Sequence, residues 1–305
     1  MKQLPLGIQS FEKLINGDNL YVDKTALISD IVNNFHYVFL SRPRRFGKSL
    51  LISVIEEYFK GNRELFNGLS IYNDASWVSH PVIRLDFSNM STEDESRFRA
   101  TFKRRLESIA SHYEIELSVD NEAEYFSSLI EALSKKSGKG VVILIDEYDK
   151  PITDHLDDVP LADRLRDFLK SIFVRFKGND EYIRFVFITG VSKFAKVSLF
   201  SGMNQISDIS MYEKYSTLLG YTEAELRHYF SEHIRLLAKK KEMPEDELLS
   251  EIKHWYNGYS WDAENRVYNP YSILNLFQSM RFDNYWFSTG TPAHLVKVMR
   301  GINFD

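Results

Sequence analysis

One stretch limits the folds open to this chain more than any other. It begins with a short apolar run, Tyr37-Val38-Phe39-Leu40, ending at Ser41, and continues as Arg42-Pro43-Arg44-Arg45-Phe46-Gly47-Lys48-Ser49. Leu51, Val54, Ile55, Tyr58 and Phe59 then recur at helical spacing. The pattern predicts a buried strand, a tight basic loop and an amphipathic helix, the setting of a phosphate-binding loop. The first N–H groups of a helix lack intrahelical partners, and the helix dipole favours an anion there. Lys48 can meet terminal phosphates as a point charge, and the Ser49 hydroxyl can ligate a bridging Mg²⁺. The expected cradle comprises Arg42, Pro43, Arg44, Arg45, Phe46, Gly47, Lys48, Ser49 and Leu50. Arg42 stands where G-x-x-x-x-G-K-[ST] has its first glycine. Pro43 biases Arg42 toward an extended conformation, so the loop should begin with a different turn. A basic surface turn ahead of a core helix is the plain alternative, and the flanking strand and helix weigh against it.

A second run supplies the acids that such a loop needs. Val141-Val142-Ile143-Leu144-Ile145 reads as a strand buried on both faces of a parallel sheet, and Asp146 and Glu147 follow at its carboxyl end. Asp146 is placed to hold Mg²⁺ directly or through a water, and Glu147 to polarise a water for in-line attack on a phosphoanhydride. Alone, the pair could simply cap a strand end; with Lys48 and Ser49 upstream, the catalytic reading is the better one. Thr189 and Ser192 close the next strand, Ile183 to Thr189, where a hydroxyl could bond the terminal phosphate or the attacking water. Catalysis is therefore assigned to Lys48, Glu147 and Ser192, and the metal to Ser49 and Asp146. Arg166, Arg175 and Arg184 are candidate charge stabilisers, none preferred.

The remaining chain frames this core. Phe11, Leu14 and Ile15 predict a short helix ending near Gly17, and Leu27, Ile28 and Ile31 another, so residues 1–35 form an arm packed on the core. Residues 36–212 carry the strand-and-helix alternation. After about residue 210 the pattern changes. Thr222-Glu223-Ala224-Glu225 is a capping box opening a helix through Leu226, Tyr229, Phe230, Ile234 and Leu237. Another helix ends at Asn257-Gly258, a small hairpin spans 259–268, and a third helix follows Pro270. Residues 213–305 are thus expected to form a smaller helical lid, or a winged-helix-like domain. Its aromatic residues, Trp255, Tyr256, Tyr259, Trp261 and Tyr285 among them, could instead hold a partner protein or nucleic acid.

Other chemistries are excluded or unsupported. The chain has no cysteine, which removes thiol nucleophiles and disulfides and suits a reducing compartment. Its eight histidines show no metal spacing. A net charge of −5 does not suit a chain built to coat nucleic acid or an anionic membrane. Neither a secretory signal nor a membrane span is present, so a cytoplasmic location is expected.

Several segments together resemble the bacterial AAA-ATPase-like predicted ATPases: residues 39–49, Leu144-Ile145-Asp146-Glu147-Tyr148-Asp149-Lys150-Pro151 and Ile188-Thr189-Gly190-Val191-Ser192-Lys193-Phe194. Tyr21-Val22-Asp23-Lys24-Thr25, Trp255-Tyr256-Asn257-Gly258-Tyr259 and Tyr268-Asn269-Pro270-Tyr271-Ser272 add to the resemblance, which runs from about Leu4 to Pro292. It implies an α/β P-loop NTPase core with a mainly parallel sheet, and ATP and Mg²⁺ as cofactors. Arg42 then looks like the family's own version of the loop. Longer relatives continue into a PD-(D/E)XK nuclease-like domain, which is not expected before Asp305, so the chain reads as truncated or as a short member. That association is the source of an expected nucleic-acid-processing or defence role, beside a candidate homo-oligomer. An ATP-gated switch or adaptor with little hydrolysis is the other reading.

Overall fold

Parallel pairing organises the computed structural model, which describes residues 1–73, 77–191, 199 and 205–289. Five strands are found among them: β1 (Tyr37–Ser41), β2 (Val82–Asp86), β3 (Val141–Asp146), β4 (Ile183–Gly190) and β5 (Ser207–Asp208). Their order is β2-β3-β4-β1-β5, and each neighbouring pair is parallel. Such pairing requires long crossovers, and helices supply them. They are α3 (Lys48–Phe59), α4 (Glu95–His112), α5 (Glu122–Ser137), α6 (Lys150–Thr153), α7 (Val159–Phe173) and α8 (Arg175–Gly178), while α1 (Phe11–Asn16) and α2 (Thr25–Asn34) precede β1.

With helices on both faces, the central strands have no solvent side. All six residues of β3 are buried, which is why that run shows no polar alternation. Alternate residues nevertheless serve different cores. Phe39, Ile143, Ile145 and Ile188 pack with Phe102, Phe126 and Leu169 from α4, α5 and α7. Val38, Leu40, Leu144 and Phe187 pack with Ile28 and Ile31 of α2 and with Ile52 and Ile55 of α3. Phe11 joins the second core, its N–H donating to Ser53 Oγ at 2.9 Å. Tyr215, Leu218 and Leu219 join it too, although they lie beyond residue 212.

A third cluster belongs to α9 (Glu223–Tyr229), α10 (Ser231–Lys241), α11 (Glu245–Tyr256) and α12 (Pro270–Ser279), followed by α13 (Tyr285–Thr289). Leu20 and Val22 of the N-terminal segment pack into it, so that segment touches both the sheet core and the C-terminal helices. The capping box forms as expected: Thr222 Oγ1 accepts from the Glu225 N–H and Glu225 Oε2 from the Thr222 N–H. The single helix expected after it is two, broken at Phe230 (φ −107°, ψ 16°), and the helical segment after α6 is likewise interrupted after Phe173. Antiparallel bridges Tyr259–Val267 and Tyr221–Tyr268 close the predicted hairpin onto the segment before α9. β5 was not anticipated; a two-residue polar strand carries no periodicity to read.

Candidate functional site

Register places the carboxyl ends of the strands in one row. Leu40 and Ser41 pair with Thr189 and Gly190, and Asp86 pairs with Asp146. Since β4 lies between β1 and β3, the loop after β1 and the acids after β3 stand two strand spacings apart, about 10 Å. That gap, at the carboxyl edge of an open parallel sheet, is wide enough for a phosphate group and a cation between them.

The loop conformation comes from alternation. Arg45 (φ 69°) and Gly47 (φ 90°) are left-handed, and α3 starts at Lys48. Successive N–H groups in such a turn converge to form an anion-binding concavity. Lys48 is buried, and its ammonium donates to the carbonyls of Arg42 and Pro43, both at 3.0 Å. Burial pushes the Lys48 ammonium below the usual lysine range, opposed by the nearby carboxylates of Asp146, Glu147 and Asp149. A group held that way gains by meeting further negative charge.

Arg42 takes an unexpected place. Its N–H donates to the Gly190 carbonyl at 3.1 Å, extending the ladder, and it is absent from the left-handed residues, so no glycine is needed there. Its guanidinium is 1% exposed and donates to the carbonyls of Ser41 (2.9 Å), Ser210 (2.8 Å) and Tyr215 (3.2 Å), while lying 4.4 Å from the centroid of the Trp261 ring. Desolvation lowers the Arg42 pKa to about 10, with Asp208 opposing. Phe46 is buried between the rings of Tyr259 (4.8 Å) and Trp261 (5.7 Å). Arg44 and Arg45 are exposed, and Ser49 and Leu50 are partly buried in the first turn of α3.

Across the gap, Asp146 is buried, and its Oδ1 accepts from Thr189 Oγ1 at 2.6 Å and from the Glu147 N–H at 3.0 Å. Both bonds fall on one oxygen, and Oδ2, which accepts no hydrogen bond from the described residues, is the oxygen that could meet a cation or its water. Glu147 is left-handed (φ 51°), an unusual conformation for a residue with a side chain. Burial raises its pKa, Lys48 opposing and Asp146 and Asp86 adding to the rise. Asp149, also buried, accepts from the Val191 N–H at 3.1 Å and so ties the end of β4 to the acid turn. Ser192 lies outside the described residues. Thr189 thus holds Asp146, whereas Arg184 sits at the opposite end of β4, bonded to the Val32 carbonyl at 3.0 Å. Arg166 pairs with Asp163 on its own helix.

Three features were missed. Asp86 enters the row only through strand register, and the roles of Tyr271 and Trp286 (below) only through long-range packing. Beside Gly47, an apolar cavity is lined by Tyr21, Val22, Lys24, Leu50 and Leu219. The Tyr21-to-Thr25 stretch stands where a segment often packs near a nucleotide base, a reading as open from the sequence as that of a simple packing arm, since nothing in its local chemistry demands a cavity. The donor set suits Mg²⁺, which keeps waters and binds through one or two carboxylates plus phosphate oxygens. No cluster of three or more metal-ligating acids or histidines occurs among the described residues, so the site does not resemble an all-protein cage. Nor is any described helix long and apolar enough to cross a membrane.

Comparison with known sequences gives the chain a family. The profile of the predicted AAA-ATPase family matches residues 5–200. A protein of Azotobacter chroococcum mcd 1, described as an uncharacterized protein in the vnfD 5' region, is 40% identical over 300 residues. The match takes in 98% of this chain and 56% of that relative, so the chain spans little more than half the relative's length.

Proposed function

Because the chain belongs to the predicted AAA-ATPase family, we propose that it binds ATP with Mg²⁺ and hydrolyses it, using the loop after β1 and the acids after β3. The observation that carries this reading is the facing of a left-handed, lysine-bearing loop and an acid pair across β4. The loop N–H groups and Lys48 bind the β- and γ-phosphates, with Pro43 to Leu50 forming the wall. The apolar cavity beside Gly47 receives the base. Ser49 and Asp146 would hold Mg²⁺, which when bound neutralises charge on the phosphate oxygens. Glu147 takes a proton from the water whose oxygen attacks the γ-phosphorus. The bond from that phosphorus to the bridging oxygen breaks, and ADP departs with its electron pair. Ser192 is assigned to the phosphate or the attacking water.

Units of 1–35, 36–212 and 213–305 serve as arm, ATPase core and helical lid in this scheme. In this reading the protein acts in the cytoplasm, as a homo-oligomer, as a nucleotide-driven switch for a nucleic-acid-processing or defence partner. Titration calorimetry with Mg-ATP should show binding by the wild type and its loss in Lys48→Ala. Glu147→Gln should bind normally while turnover falls by about 10²-fold or more. Turnover surviving that change would remove Glu147 from the mechanism.

One observation favours a slow switch over a rapid ATPase. Arg166 and Arg184 are bonded elsewhere and Arg175 lies on α8, ahead of the amino end of β4, so the loop's own Arg44 and Arg45 are the arginines best placed to stabilise transition-state charge. A single-turnover assay separates the two: product formation that stops at one equivalent per protein supports the switch.

A further inference from the structure

Four contacts on the outer side of the phosphate loop come from the far end of the chain. Arg42 faces the Trp261 ring, the Arg45 guanidinium lies 4.8 Å from the Tyr271 centroid, and Phe46 packs on Tyr259. The fourth is a hydrogen bond: the half-buried Trp286 donates its indole N–H to the Arg44 carbonyl at 3.0 Å, across 242 residues. Tyr259 and Trp286 also touch each other, with ring centroids 6.3 Å apart, so the contacts form one aromatic wall.

That wall meets the loop at its strained point. Arg45 is left-handed, where a residue with a Cβ is disfavoured and where arginine has no short polar group to compensate locally. The carbonyls leading up to this point face different ways. Those of Arg42 and Pro43 turn to the Lys48 ammonium, whereas that of Arg44 turns out to the indole. No cis peptide occurs among the described residues, and across a planar trans peptide the C=O and the following N–H point in opposite directions. The Arg45 N–H therefore faces away from Trp286.

We propose that Trp286, assisted by Tyr271 and Tyr259, is a positioning residue for the phosphate cradle. It holds the Arg44–Arg45 peptide so that the Arg45 N–H is presented to the triphosphate. In most loops of this type glycine makes such a conformation free; here the C-terminal helices stabilise it from outside. Nucleotide affinity is then linked to docking of those helices on the loop, and by reciprocity bound nucleotide tightens the docking. The inference rests on the ATP-binding reading above.

A double-substitution cycle tests it, with Mg-ATP as the probe and calorimetry as the readout. Trp286→Phe keeps the ring and removes the N–H; affinity should fall about tenfold, the worth of one hydrogen bond to a charged group. Glycine at position 45 adopts the left-handed conformation without penalty, so in an Arg45→Gly background the same Trp286→Phe change should alter affinity less than about twofold. An equal loss in both backgrounds, or no loss in either, overturns the inference. Should Trp286→Phe melt early without nucleotide, Tyr259→Leu, which removes the ring against Trp286, provides the parallel perturbation, with the same cycle against Arg45→Gly. Wild-type protein that binds no Mg-ATP overturns the underlying reading as well. Normal wild-type binding, lost in Lys48→Ala but indifferent to Trp286, sinks this inference alone.

Discussion

Arg42 shows how a departure from a motif can be a structural commitment. Its guanidinium is donated to three carbonyls and covered by Trp261, so the side chain braces the base of the loop against the segment from Ser210 to Tyr215. Restoring the motif glycine should therefore harm the protein. Arg42→Gly leaves buried carbonyls unpaired and adds backbone freedom, and we expect a loss of about 2–4 kcal/mol in urea unfolding. Unchanged stability would show that the brace is idle. Glu147 makes a pH prediction. Burial raises its pKa above the usual 4.5. A base must be ionised, so the acid limb of the kcat profile should lie above the ordinary glutamate range. The stability sign is the reverse of a salt-bridged acid: a raised folded pKa contributes stability below the unfolded value, lost as pH rises through the folded one. Glu147→Gln should consequently melt no earlier than wild type at neutral pH, even as turnover disappears. A lower melting point would contradict that origin of the shift.

At the scale of elements, the junction of β3 and β4 sets the site's tolerance. A Cβ on Gly190 would come within 2.4 Å of the Tyr148 ring and 2.7 Å of Asp149 Oδ1. Tyr148 is fully buried against Phe39 and cannot swing aside. Gly190→Ala should therefore cost about 1–3 kcal/mol by overpacking and disturb the Asp149–Val191 tie. Thermal denaturation matching the wild type would show that the acid turn yields freely. Strand and helix identities here were readable because each obeys a local period: the unbroken apolar run of β3, the helical stripe of α3 and the capping box before α9. Helix breaks at Phe230 and after Phe173 were not readable, since the apolar stripe continues across them while the backbone turns.

Across the whole molecule, the N-terminal segment ties the other parts together. The Lys24 ammonium donates to the Thr217 carbonyl at 2.8 Å and pairs with Glu225, while the Asp23 N–H donates to Tyr229 Oη at 3.3 Å. The N-terminal segment is thus tied to the C-terminal helices and to the segment before them through contacts spanning about two hundred residues. The sequence alone determined the parallel α/β core, the basic loop with Lys48 and Ser49, and the acids that end β3. Those follow from side-chain periodicity and residue chemistry within a few residues of each other. Only the tertiary structure decided that the Arg42 guanidinium lies against a tryptophan, that Asp86 stands beside Asp146, and that Trp286 bonds the loop. Direction in a loop and neighbours across a sheet depend on register and on packing of distant segments, which no local pattern records.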